Sequence, residues 1–132
     1  MRLLAPLAAG LVLLLARPAL AAWTPPAWGQ EQTLELRTTA AGEGEHWFPV
    51  WLVVLDGELY VRLGSRAAGR MAQNGTAPFV GVRIGGQEFD RVKTEPTPEA
   101  AARVAAAMRE KYWFDVVARQ FDHPLTVRLR AE

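Results

Sequence analysis

The chain has no cysteine, one serine and two histidines among its 132 residues. Each scarcity removes a chemistry. Without cysteine there is no thiolate nucleophile, no tetrathiolate zinc site, no disulfide and no thiol redox switch. A Ser–His–Asp hydrolase would need Ser65 with His46 or His123, and no nucleophile-elbow pattern surrounds Ser65. Two histidines without placed carboxylates do not make a metal site. Charge of one sign is missing as well. Fifteen basic residues stand against 14 acidic ones, a balance that gives no electrostatic footprint for nucleic acid. No repeat or low-complexity block stands out.

The N-terminus carries an address. Met1-Arg2 is a short basic region, Leu3 to Leu15 an apolar one, and Ala19-Leu20-Ala21 a small-x-small cleavage signal. The apolar run of about 13 residues falls short of the ~20 that a membrane-crossing helix needs, so the pattern predicts a cleaved signal peptide over residues 1–21. No stable membrane span is expected after cleavage. No Arg-Arg pair is present for twin-arginine export, and no cleavage-site cysteine for lipid attachment. The product is then periplasmic or secreted, and any cofactor is acquired after export. Loss of Arg2 and Arg17, with no acidic residue, takes the formal charge from +1 to −1. What remains is one domain in size. It divides into a Pro/Trp-rich extended segment, 22–31, and a folded domain, 32–132.

The most informative stretch runs from Pro49 to Met71. An apolar strand from Pro49 to Leu55 meets Asp56-Gly57 and then the alternating strand Glu58 to Leu63, the strongest short-range hairpin signal. Pairing across that turn sets Leu55 opposite Glu58, Val53 opposite Tyr60 and Trp51 opposite Arg62. One face then carries Val50, Leu52, Val54, Leu59, Val61 and Leu63, and is core. The other carries Trp51, Val53, Leu55, Glu58, Tyr60 and Arg62, and reads as half-solvated, with a cation–π pair available to Trp51 and Arg62.

Ser65 is typed for a helix N-cap, with Arg66 and Arg70 on one side of the turn that follows. A helix start offers unpaired N–H groups and a positive dipole end, which favour phosphate. Arg62, Arg66 and Arg70 add forked donors, or else form a solvated rim. Elsewhere Thr33 to Thr38 reads as a first strand and Ala40 to Glu45 as a loop. Phe79 to Ile84 and Gln87 to Thr94 form a second hairpin over Gly85-Gly86, with Arg83 opposite Glu88. Thr97-Pro98 opens a helix with the stripe Ala101, Val104, Ala105 and Met108, and Leu125 to Arg130 is a last strand. The sum is an α+β fold, mostly β: a six-stranded antiparallel barrel with one main helix. Asn74-Gly75-Thr76 matches a glycosylation sequon, and Lys111 is placed to reach back toward a ligand.

In the order of its motifs the chain resembles the pyridoxamine-phosphate-oxidase-like split β-barrel superfamily. Within it, the chain is most similar to a small uncharacterised family with a "P-[IV]-W-V-V…LYVRS…G" core and a later "KY". The matching residues are Pro49 to Val54, Leu59 to Arg62, Gly64-Ser65, Val82 to Gly86 and Lys111-Tyr112. The resemblance implies that Arg62, Ser65, Arg66 and Arg70 hold the phosphate of FMN or a deazaflavin, with Trp51 or Tyr60 beside the ring. It also implies a homodimer with the cofactor between subunits. Many flavin-binding members carry Asn-Pro where this chain has Asn74-Gly75. Two readings stay open: a flavin-binding oxidoreductase, and a cofactor-free ligand-binding or interaction module of the same fold.

Overall fold

The computed structural model describes residues 22–112 and 125–132. The expected signal peptide, Trp113, Phe114 and His123 lie outside these residues.

Both two-residue turns form as their sequences require. Asp56 and Gly57 adopt φ of 52° and 76°, and Gly85 and Gly86 adopt 57° and 78°, the left-handed region that both central positions of such a turn need. They join β3 (Leu52–Leu55) to β4 (Glu58–Leu63) and β5 (Phe79–Ile84) to β6 (Gln87–Pro96). The registers follow the expectation, with Leu55 opposite Glu58, Val53 opposite Tyr60 and Arg83 opposite Glu88. With β1 (Leu34–Ala40), β2 (Gly44–Val50) and β7 (Leu125–Ala131) they form one antiparallel sheet in the order β2-β1-β5-β6-β7-β4-β3, curled into a half-barrel.

There are seven strands among the described residues, and the difference from six lies at Trp51. The run from Pro49 to Leu55 is divided there. Its first part belongs to β2, which pairs with β1 from Leu34–Val50 to Ala40–Gly44, and its second part pairs with β4. Uniform apolarity concealed the break, because either strand can bury such residues. What read as a loop from Ala40 to Glu45 is a tight turn, in which Gly42 and Gly44 take φ of 81° and 74°.

One face of the sheet encloses the main core, including Leu34, Leu36, Val50, Leu52, Leu59, Val61, Leu63, Val82, Val127 and Leu129. Each such side chain contributes roughly 1.5–3 kcal/mol by leaving water. The segment 22–31 is not extended. Pro25–Trp28 is a 3₁₀ turn that buries Trp28 in this core, edge-on to Trp23 and Phe89 at ring separations of 5.0 and 5.6 Å. Aromatic packing outweighs the extended preference of the prolines.

The opposite face of β3 and β4 is partly covered: Val53 and Tyr60 are buried, while Trp51, Leu55, Glu58 and Arg62 stay half-buried. Helix α2 (Ala101–Lys111), preceded by a 3₁₀ turn Pro98–Ala100 and followed by Tyr112, covers Val53 and Tyr60 with Ala100, Val104, Met108 and Tyr112. The buried stripe therefore repeats every four residues from Ala100, not from the exposed Ala101, because the 3₁₀ turn delays the α-helix. A second helix, α1 (Ser65–Ala72), links β4 to β5.

Candidate functional site

Helix α1 starts one residue earlier than its sequence suggests. Gly64, extended at φ −69° and ψ 175°, is the N-cap, and Ser65 is the first helical residue. Glycine tolerates the cap conformation and leaves the Ser65 hydroxyl exposed without a capping bond. Ala68 N–H donates to the Gly64 carbonyl at 2.8 Å, and the N–H groups before it have no acceptor within the helix.

Against this start lies β2. His46, Phe48 and Pro49 on one side, and Gly64, Arg66, Ala67 and Arg70 on the other, line a groove of about 460 Å³. That falls within the ~300–1,000 Å³ of small-molecule sites. His46 and Phe48, alternate residues of β2, stack at 6.0 Å and 25°. Arg66 and Arg70, four residues apart on α1, both line the groove, as their spacing predicts. Arg70 Nη1 also donates to Glu43 Oε1, on the β1–β2 turn, and His46 Nδ1 lies 3.6 Å from the same oxygen. The Arg70 guanidinium, with a lesser contribution from His46, holds the Glu43 carboxyl below the ordinary carboxylate range despite some opposing desolvation.

The candidates from the β3–β4 hairpin do not reach this groove. Tyr60 is buried beneath α2, and Trp51 stacks on Tyr112 at 4.4 Å and 7°. Arg62 shares the face of Tyr60 by strand alternation, opposite Thr126 on β7. Trp51 lies between β2 and β3, just before the β3–β4 ladder begins at Leu52 opposite Val61. The structure thus gathers Ser65, Arg66 and Arg70 at the start of α1 and sets Trp51, Tyr60 and Arg62 on the other face.

Lys111 serves the framework. Its ammonium donates to the carbonyls of Glu31 and Leu52 at 2.5 and 2.9 Å, while burial pushes its pKa down. Asn74 is also structural. Its Oδ1 accepts from Thr39 N–H and the Thr76 hydroxyl, both at 3.0 Å, and its amide donates to the Phe79 carbonyl at 2.8 Å. The residue is buried, so the sequon presents no free acceptor amide. Three residues of the site escaped the sequence reading: Glu43, His46 and Phe48. The alternation of His46, Phe48 and Val50 behind the Gly42/Gly44 turn was the signal for a strand there.

Among the described residues no group of three His, Asp or Glu side chains is placed to hold a metal ion, and no helix is long and apolar enough to cross a membrane. The chain matches no family model and no curated protein. It does match solved structures. The heme storage protein HutZ from Vibrio cholerae aligns at a TM-score of 0.61 and 20% identity, over 81% of this chain and 87% of that one. A protein solved as a domain-swapped dimer aligns at 0.56 and 14%, over 76% and 80%. An F420-H2-dependent reductase, FDR-A, aligns at 0.53 and 14%, over 76% and 94%. At such identities the shared property is the fold. The chain shares with these structures an α+β split-barrel fold.

Proposed function

We propose that this protein is an exported, homodimeric split barrel that binds a phosphorylated planar cofactor of the flavin or deazaflavin class in the groove between β2 and α1. The observation that carries the reading is the groove itself. It joins two guanidinium groups and an open helix start to a stacked pair of rings. The donors match a phosphate monoester, and the rings match an aromatic tricycle. Arg66 and Arg70 would hold the phosphate, with the first N–H groups of α1, while His46 and Phe48 would flank the ring. The ring is thereby assigned to residues other than Trp51 and Tyr60. A bound flavin supplies hydride or electron transfer; the residues named here bind and orient it. Likeness to a reductase named for F420-H2, and to a domain-swapped dimer, supports the cofactor class and the assembly.

Titration of the full chain with FMN, read by quenching of its tryptophans, tests the reading. Binding tighter than ~0.1 mM, about −5.5 kcal/mol, is expected. Replacing Arg66 and Arg70 together by Ala should weaken it at least ~10-fold, or ~1.4 kcal/mol. Absence of quenching leaves the cofactor-free binding module. A second planar ligand has its own support. His46 puts an imidazole in the groove, and the likeness to a heme storage protein makes hemin the comparison ligand. A Soret shift abolished by His46→Ala would favour it. Export is tested by intact mass on periplasmic material, where a chain beginning at Ala22 is expected and retention of Met1 would refute cleavage.

A further inference from the structure

Glu43 occupies an unusual place beside the groove. It stands at the tip of the β1–β2 turn between Gly42 and Gly44, whose positive φ values bend the chain so that its carboxylate reaches α1. Glu43 does not line the groove, yet it contacts Arg70, and lies near His46, both of which do. Its grip is limited: Arg70 and His46 approach the same carboxylate oxygen, Arg70 meets it through Nη1, and the Arg70 and Glu43 side chains are partly exposed, at 29% and 42%. Arg66 makes no ion pair among the described residues. An exposed pair of this kind is weak, whereas a phosphate dianion meeting two forked cations is held strongly.

We infer that Glu43 is the resident counter-anion of the groove: an anionic ligand takes Arg70 over from Glu43, and the β1–β2 turn is released as the ligand binds. The inference rests on the groove being a binding site and adds a regulating contact to it. Glu43 holds affinity for anions below what Arg66 and Arg70 would give alone, and it leaves an uncharged ring system unaffected. Groups facing Glu43 are Arg70 on α1 and His46 on β2. Because Arg70 keeps the carboxyl ionised below the ordinary range, the restraint persists at mildly acidic pH.

The experiment compares the unmodified chain with Glu43→Gln, using FMN and its uncharged counterpart riboflavin as probes. Glu43→Gln should lower the Kd for FMN about three- to fivefold and leave riboflavin unchanged. In an Arg70→Ala background the same replacement should have no effect on FMN, as a coupled pair requires. In the unmodified chain, saturation with FMN should speed hydrogen exchange of the amides from 41 to 45, a readout that needs no variant. If Glu43→Gln leaves FMN affinity unaltered while Arg66→Ala weakens it, the role given to Glu43 is wrong and the groove stands. If none of the three replacements changes FMN binding, the groove reading fails, and this inference with it.

Discussion

Removing one oxygen, by Tyr112→Phe, should cost the fold about 2 kcal/mol. Among the described residues strand β3 is an edge of the sheet, so the N–H and C=O that Leu52 turns away from β4 face no strand there. The Tyr112 hydroxyl takes that place. It accepts from Leu52 N–H at 3.2 Å and is within donating distance of the carbonyls of Gln32, at 2.7 Å, and Leu52, at 3.0 Å. The Leu52 carbonyl keeps Lys111, and Gln32 is an exposed residue with access to water. Leu52 is fully buried, so its N–H bears the loss. An unsatisfied buried donor costs ~1–3 kcal/mol, and loss of a neutral hydrogen bond ~0.5–1.5 kcal/mol. The phenyl ring can still stack on Trp51, so no cavity term is added. At roughly 4–8 °C per kcal/mol for a domain near this size, the melting temperature should fall by about 8–16 °C. Urea unfolding should show a lower midpoint at unchanged slope. A loss below ~0.5 kcal/mol would mean that Leu52 finds another acceptor, and would refute the account of the edge.

Tyr112 also sets a pH dependence, since burial raises its pKa above the ordinary value of 10.0. Folding therefore favours the protonated phenol. Its contribution is complete below the unfolded pKa and is lost as pH rises toward the folded one, so the advantage of the unmodified chain over Tyr112→Phe should shrink above pH ~10 in urea titrations. Asn74→Ala should destabilise by about 2–3 kcal/mol, because Thr39 N–H and the Phe79 carbonyl lose their partner, and expression through a eukaryotic secretory route should give a chain of unglycosylated mass. Trp51→Ala should cost about 2 kcal/mol of stability yet leave FMN affinity within twofold, whereas Phe48→Ala should weaken FMN several-fold; the reverse pattern would return the ring to the hairpin face.

The legible parts of this fold were those written locally. Asp56-Gly57 and Gly85-Gly86 could form little else, and the registers followed from turns of fixed length. Arg66 and Arg70 share a side of α1 because helix geometry alone puts them there. The errors arose where a distant element decided. Nothing near Tyr60 in sequence says that Ala100, Val104, Met108 and Tyr112 will cover it, so it read as a residue open to a ring. The division at Trp51 was invisible because β1, not the run itself, takes Val50 and Pro49 as partners. Glu43, His46 and Phe48 belong to the site only because the β1–β2 hairpin folds them against α1, and that closure has no local signature.

The burial of Tyr60 and Val53 beneath α2 also bears on where a ligand can sit. Leu52, Leu59, Val61 and Leu63 face the main core, and Val53 and Tyr60 face α2, so Tyr60 itself offers no surface to a ring. The proposed groove lies where β4 leaves the sheet. There Gly64 releases the strand into α1, backbone donors emerge, and the cations that follow meet the rings of β2. The same burial that disqualifies Tyr60 as a ligand contact makes it useful indirectly. A rigid β4, clamped by cores on both faces, fixes Leu63 and hence the start of α1, so Arg66 and Arg70 project from a fixed base and not from a loose turn. Their remaining freedom lies in the side chains, and for Arg70 that freedom is already taken up by Glu43.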